Sequence, residues 1–219
     1  MSGKKKRVLL VEDHPIVRHG LRVMIDDEAD LAVCGEASGM KEALTLVGEH
    51  KPDVVVIDIA LGPENGLDLI RQLHEDVPQT PLLALSMHDE AVYGERALRA
   101  GAKGYIMKKE AMDKLLTAIR RVLAGELYVS DAMAAKLVNK LINPAAAKDA
   151  PNGVESLSER EFQVFRLIAD GIGPSEIAQR LSLSVKTVET HREHVKEKLG
   201  LKTGAELTRF CLQWGMEHR

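Results

Sequence analysis

Aromatic and sulfur chemistry are scarce in this sequence: 3% of its 219 residues are aromatic and two are cysteine. Cys34 and Cys211 stand far apart, in no CxxC or other ligand spacing. That excludes a disulfide framework and a thiolate metal site, and reads both as small buried hydrophobes in a reducing compartment. Nor is there a long apolar run, since nothing approaches the ~18 residues a bilayer-spanning helix needs. The basic flank KKKR (4–7) leads into VLLV, which stops at Glu12 and Asp13, too short for a signal-peptide core. These absences predict a cytoplasmic chain with no membrane partner. Charge of one sign is lacking too: the net charge is -3, with 17 Lys+Arg against 20 Asp+Glu in residues 1–124 and 10 against 10 in residues 155–219. What is present, 45% apolar and 29% charged, is globular composition with length for one large or two ordinary domains.

Short apolar runs recur in the first half: VLLV (8–11), LAVCG (31–35), VVVI (54–57), LLALS (82–86) and GYIM (104–107). Each precedes a helix-like stretch, such as IVRHGLRVMI (16–25), MKEALTLVGEH (40–50), GLDLIRQLHE (66–75) and MDKLLTAIRRVLAG (112–125), with apolar residues every three or four positions. Runs apolar on both faces that alternate with amphipathic helices predict a five-stranded, doubly wound parallel sheet ending near Gly125.

Ligands of such a sheet bind beyond the carboxyl ends of its strands. There stand Glu12 and Asp13 after the first strand, Asp58 at the third, Ser86 at the fourth and Lys108 at the fifth. A single Asp after a strand ordinarily starts a turn or caps a helix, but five such residues at strand ends point to one site. Three converging carboxylates repel, so one takes a proton or a cation neutralises them. Oxygen ligands in that number suit Mg²⁺, which commonly shares a phosphoryl oxygen. The Ser86 hydroxyl and the Lys108 ammonium could hold the other oxygens of that group, leaving Asp58 as the nucleophile. His14 and the KKKR run are assigned no role: the first reads as exposed in a helix's first turn, the second as a solvated strand flank.

With Glu12, Asp13, Asp58, Gly66, Ser86, Tyr105 and Lys108 in place, residues 1–124 resemble the receiver domain of a two-component response regulator, a flavodoxin-like fold. The resemblance implies Asp58 as phosphoacceptor, and Mg²⁺ held by Asp13, Asp58 and the backbone carbonyl of Ala60, with Glu12 acting mainly through water. It also implies that Tyr105 is a switch aromatic, moving inward when Ser86 is drawn to the phosphoryl group. Packing at a strand end is the plain alternative for Tyr105. One departure stands out: the family's proline four residues after the acceptor is Gly62 here, and proline follows at Pro63.

Beyond Gly125, VSDAMAAKLVNKLI (129–142) predicts a helix with Ser130 or Asp131 as N-cap and Met133, Leu137, Val138 and Leu141 on one side. Residues 143–156, with two prolines and a glycine, predict a loose connector, so that 125–154 forms a linker. Four short helices are then expected within 155–219: 158–171, 174–182, 184–200 and 204–215. Ser158 with Glu161 forms a capping box and Ser184 caps the third helix. The tight turn SLS between the second and third is typical of a helix-turn-helix, whose third helix enters the major groove. On that helix Val188, Val195 and Leu199 should face the core, with His191 beside them. Lys186, Thr187, Arg192 and Lys196 are expected at phosphates, and Glu189, Thr190 and Glu193 at base edges. A solvated helix with ordinary ion pairs is the plain alternative.

LSERE, IADG, SEIAQRLSLSVKTVETH and KLG make residues 157–215 resemble the LuxR-type DNA-binding domain. Together the two resemblances imply a response regulator of the NarL/FixJ type. Its partners would be a histidine kinase as phosphodonor and double-stranded promoter DNA, bound as a homodimer, and RNA polymerase is a further partner the resemblance allows. No separate catalytic activity is expected. A phosphatase of the haloacid dehalogenase type also has a strand-end aspartate nucleophile, but it needs a second acid where this chain has Ala60. A ligand-sensing LuxR-type regulator gives no reason for Glu12, Asp13 and Asp58 to converge.

Overall fold

A computed structural model describes residues 4–62, 64–142 and 153–217. Contacts divide it into two compact units, residues 1–134 and 135–219. In the first, β1 (Lys6–Val11), α1 (Pro15–Asp26), β2 (Leu31–Ala37), α2 (Met40–His50) and β3 (Val54–Asp58) lead to a two-residue ladder of β4 (Ala60–Leu61) and β5 (Glu64–Asn65). Then follow α3 (Gly66–Asp76), β6 (Leu82–Ser86), α4 (Glu90–Ala100), β7 (Gly104–Met107), a 3₁₀ turn at 108–110 and α5 (Ala111–Leu123), and α6 (Asp131–Ile142) begins in this unit and ends in the second.

The five long strands form one parallel sheet in the order β2-β1-β3-β6-β7. Alternation along each strand sends side chains to opposite faces. Val8, Leu10, Val54, Val56, Leu83, Leu85 and Ile106 form one buried cluster with Leu21 and Ile25 of α1 and Leu115, Ile119 and Val122 of α5. Leu9, Val55, Ile57 and Ala84 are buried on the other face, where α2, α3 and α4 lie. Because the chain leaves β1 first toward β2 and later toward β3, the topological reversal falls between β1 and β3, the crevice where such sheets bind ligands.

The expected strands and helices of this unit are present, with the first three strands one or two residues longer than expected and the last two as expected. The β4/β5 ladder was not expected, and Pro63 lies outside the described residues. In α6, Ser130 Oγ accepts from Met133 N at 3.2 Å, the N-cap foreseen. Met133 is buried, but Val138, expected on the same side, is 51% exposed. It follows Met133 by five residues, which on a helix swings it off the packed stripe. The Leu141 side chain and residues 143–152 of the expected connector lie outside the described residues.

In the second unit, a 3₁₀ turn at 154–156 precedes α7 (Glu159–Ala169), α8 (Pro174–Arg180), α9 (Val185–Lys198) and α10 (Gly204–Glu217). All three phenylalanines and the single tryptophan of the chain belong here. Trp214 meets Phe165 edge-on at 5.0 Å between ring centroids and Phe162 at 6.1 Å, and Phe165 lies 6.2 Å from Phe210. Burial pushes the Cys211 thiol up to about 12, so it behaves as the small hydrophobe expected. Among the described residues no helix is long and apolar enough to cross a membrane.

Candidate functional site

β1 and β3 deliver Glu12, Asp13 and Asp58 to the crevice between them, and the turn after β7 brings Lys108. Glu12 and Asp58 are each 1% exposed. The Lys108 ammonium bridges them, 2.6 Å from Glu12 Oε2 and 2.8 Å from Asp58 Oδ2. Asp58 Oδ1 accepts from the Ala60 backbone N–H at 3.0 Å. Burial raises the Asp58 carboxyl above its ordinary value, against the opposing pull of Lys108 and the Ala60 N–H, with Glu12 adding to the rise. For Lys108 burial works downward, but Asp58 and Glu12 outweigh it and hold the ammonium above its ordinary value.

Three carboxyl groups share one ammonium in this crevice, so a proton or a cation is needed to balance them. Glu12 Oε2 and Asp13 Oδ1 are buried without a well-directed hydrogen bond. Glu12, Asp13, His14 and Asp58 each offer a ligand atom, all within 4.8 Å of one another. This donor set fits a hard divalent cation such as Mg²⁺. Its nitrogen member is His14, for which the sequence predicts no role. It is not incidental: its Nδ1 lies 2.7 Å from Asp13 Oδ1 and 3.2 Å from Glu12 Oε1, although the ring is largely exposed. Pro15 at the first position of α1 makes His14 the N-cap, the signal that could have placed it over the acidic pair.

Ser86, fully buried, closes β6, and its Oγ accepts from His88 N at 3.1 Å. Tyr105 is 1% exposed and donates its hydroxyl to the His88 carbonyl at 2.8 Å. Burial raises its phenol well above the ordinary value, so it serves as a neutral donor. Gly66 opens α3 against Asp58, because a β-carbon there would run into the Asp58 carbonyl oxygen and stand 2.7 Å from Ile59 Cα.

The second unit presents a helix-turn-helix. After α8, Ser182 takes a left-handed φ of 54° and Leu183 N returns to Ala178 O at 2.8 Å, which turns the chain into α9. Ser184 caps α9 through Thr187 N at 3.0 Å. Val188, Val195 and Leu199 are buried as expected, with His191 half-buried beside them. Lys186, Glu189, Thr190 and Glu193 are exposed. Thr187, Arg192 and Lys196 are half-buried, and the Thr187 hydroxyl lies 2.8 Å from Ser184 Oγ, inside the cap. Arg192 pairs with Glu189 and Lys196 with Glu193 along the helix. Such pairs stabilise a helix by only about 0.2–0.5 kcal/mol, whereas a good base contact contributes about 1–3 kcal/mol of discrimination. The pairs therefore hold the face in order and would yield readily to nucleic acid. Glu161, expected as half of a capping box with Ser158, does more than cap. It also receives Lys198 of α9 at 2.7 Å and so ties the exposed helix to α7.

Residues 8–120 match the response regulator receiver domain, and residues 155–211 match the bacterial regulatory proteins of the luxR family. The oxygen regulatory protein NreC of Staphylococcus haemolyticus is 38% identical over 210 residues, covering 94% of this chain and 97% of its own. The protein of the same name from Staphylococcus aureus is 38% identical over 211 residues, with the same coverage. Among solved structures, RcsB from Salmonella enterica serovar Typhimurium, bound to promoter rprA, superposes with a TM-score of 0.68 over 95% of this chain and 98% of that one. At 23% identity that likeness speaks for the fold alone. A LuxR-family two-component response regulator from Aurantimonas sp. is 33% identical, with a TM-score of 0.58 over 64% of this chain and 99% of its own.

Proposed function

From the premise that this chain belongs to the two-component response regulators that join a receiver domain to a LuxR-type DNA-binding domain, and so is a phosphorylation-controlled regulator of transcription, we propose that Asp58 accepts a phosphoryl group from a histidine kinase. The observation that carries this is the convergence of Glu12, Asp13 and Asp58 on one buried crevice, with Lys108 2.8 Å from Asp58 Oδ2. In the transfer, an Asp58 carboxylate oxygen forms a bond to phosphorus while the bond from phosphorus to the kinase imidazole breaks. Lys108 then exchanges its hold on the carboxylate for a phosphoryl oxygen, and the Ser86 hydroxyl donates to another. Asp13, Asp58 and the Ala60 carbonyl would hold Mg²⁺, with Glu12 acting through water, and the ion would supply neutralisation of the phosphoryl charge. Tyr105 is the switch aromatic, since the same loop that carries Ser86 offers the carbonyl its hydroxyl uses.

The receiver is read as residues 1–124, the linker as 125–154 and the DNA-binding domain as 155–219. Lys186, Thr187, Arg192 and Lys196 contact phosphates, and Glu189, Thr190 and Glu193 face base edges. Balanced charge in this domain favours a homodimer on paired half-sites. A regulator that acts on promoter DNA is expected in the cytoplasm, with RNA polymerase as a further partner.

Intact mass after exposure to acetyl phosphate and Mg²⁺ tests the central claim. Wild type should gain one acid-labile phosphoryl group and Asp58→Asn none; an undiminished adduct on the variant removes Asp58 from its role.

A further inference from the structure

Past α5 the chain does not leave the receiver at once. Gly125, with a φ of 84°, reverses it, and Arg121 holds the turn through Glu126 Oε2 at 2.8 Å and the Leu127 carbonyl at 3.3 Å. The segment then runs along β7, the outer strand of the sheet. Tyr128 N donates to Lys103 O and Tyr105 N donates to Tyr128 O, both at 2.9 Å, forming a parallel bridge opposite Gly104. A β-carbon on Gly104 would stand 2.8 Å from the Tyr128 carbonyl oxygen, so the close approach uses a glycine. The Tyr128 ring packs on the α1/α5 core cluster, with the Arg121 guanidinium 5.4 Å from its centre. Next, Ser130 N donates to Glu90 Oε1 at 2.9 Å, and the Met133 methyl reaches the face of Gly94 one turn along α4. Residues 126–133 are thus strapped to β7 and α4.

Tyr105 belongs to both systems. Its hydroxyl is bound to the loop that follows Ser86, and its backbone N–H is bound to the strap. The same loop leads into α4, whose Glu90 grips Ser130. Any shift of Ser86 that draws this loop must therefore load the strap at two points, and the strap leads directly into α6. Covering a sheet edge is a sufficient reason for one bridge. It gives no reason for a buried carboxylate on α4 to hold Ser130.

We infer that Tyr128, Glu90 and Ser130 are positioning residues of the switch: the strap 126–133, clamped between Tyr105 and α4, passes the state of the phosphoryl pocket to α6. This rests on the reading of Asp58, Ser86 and Tyr105 given above. A ligand shifts a conformation only through differential interaction with its two states, and the strap's hydrogen bonds are where those states would differ.

The test uses the full-length protein with acetyl phosphate and Mg²⁺. Hydrogen exchange at the Tyr105 and Tyr128 amides is compared with and without the phosphoryl group, whose presence is checked by intact mass. A several-fold change in protection at both amides is expected; equal protection overturns the inference. Tyr128→Pro removes the N–H bound to Lys103, and Gly104→Ala pushes a methyl group at the Tyr128 carbonyl. Both variants should take up phosphoryl like the wild type. The ratio of DNA affinities with and without phosphate, about 5–150-fold for ordinary allosteric coupling, should fall toward one. Retention of the wild-type ratio in both variants overturns the inference, and if a variant loses uptake the wild-type exchange comparison decides. A wild type that gains no adduct removes the reading of Asp58 instead, a failure the mass measurement distinguishes.

Discussion

A methyl group at Gly66 would collide with the backbone of the proposed acceptor, which turns one residue's lack of a side chain into a condition on the chemistry. Gly66 N also donates to Ile59 O at 2.9 Å, so the start of α3 is fastened to the end of β3. Gly66→Ala is expected to destabilise the first unit by about 1–3 kcal/mol, as overpacking does. It should also slow phosphoryl uptake at Asp58 at least tenfold, because the carboxylate is carried off its line with Lys108. Thermal unfolding and the rate of adduct formation read the two effects separately; normal uptake in the folded variant would show that Asp58 tolerates the shift. Glu12, Asp13, Asp58, Ser86 and Lys108 could all be picked from the sequence because each closes an apolar run. His14 was signalled only indirectly, by Pro15 after it, because an exposed ring shows its partners only once the carboxylates are placed around it.

Glu161 shows what an element asks of one carboxylate. Burial alone would raise its pKa, but Lys198 and the hydrogen bonds with Ser158 outweigh this and hold it below the ordinary value. A depressed carboxylate contributes stability that is complete above its unfolded pKa and is lost as pH falls through its lower folded value. The second unit should therefore lose stability on acidification in that window, and Glu161→Gln should flatten this part of the profile in denaturant unfolding. An unchanged acid limb would leave the Glu161 to Lys198 tie without energetic weight. On α9, Lys196→Ala should weaken all DNA sequences alike and lower the salt slope by about one. Glu193→Gln should alter sequence preference, measured by selection from a random duplex pool; an unaltered preference refutes its place at a base edge. The helices were legible because their apolar stripes and caps are local: Ser158, Glu161 and Ser184 announce themselves within four residues. The β4/β5 ladder and the Tyr128 bridge were not, since two residues and one residue carry no period.

For the whole molecule, the sheet and its helices followed from five runs buried on both faces, whereas no periodicity encodes how one unit would influence the other. Linkage requires that the DNA-binding domain be restrained before phosphorylation or dimerised after it. If restraint operates, the isolated 155–219 fragment, which carries its own aromatic core, should bind DNA more tightly than unphosphorylated full-length protein at matched salt. Equal or weaker binding would leave receiver-driven dimerisation as the mechanism, to be seen by sedimentation with and without acetyl phosphate.

The distribution of rings gives the molecule a built-in optical label. Tyrosines 93, 105 and 128 all lie in the first unit, and the single indole, at Trp214, lies in the second among three phenylalanines. Light absorbed by indole alone therefore reports from the DNA-binding unit, while the chemistry that triggers it occurs in a unit that is dark at that wavelength. A change in Trp214 emission lifetime when the proposed acceptor Asp58 takes up a phosphoryl group would be a message received, recorded without any added dye.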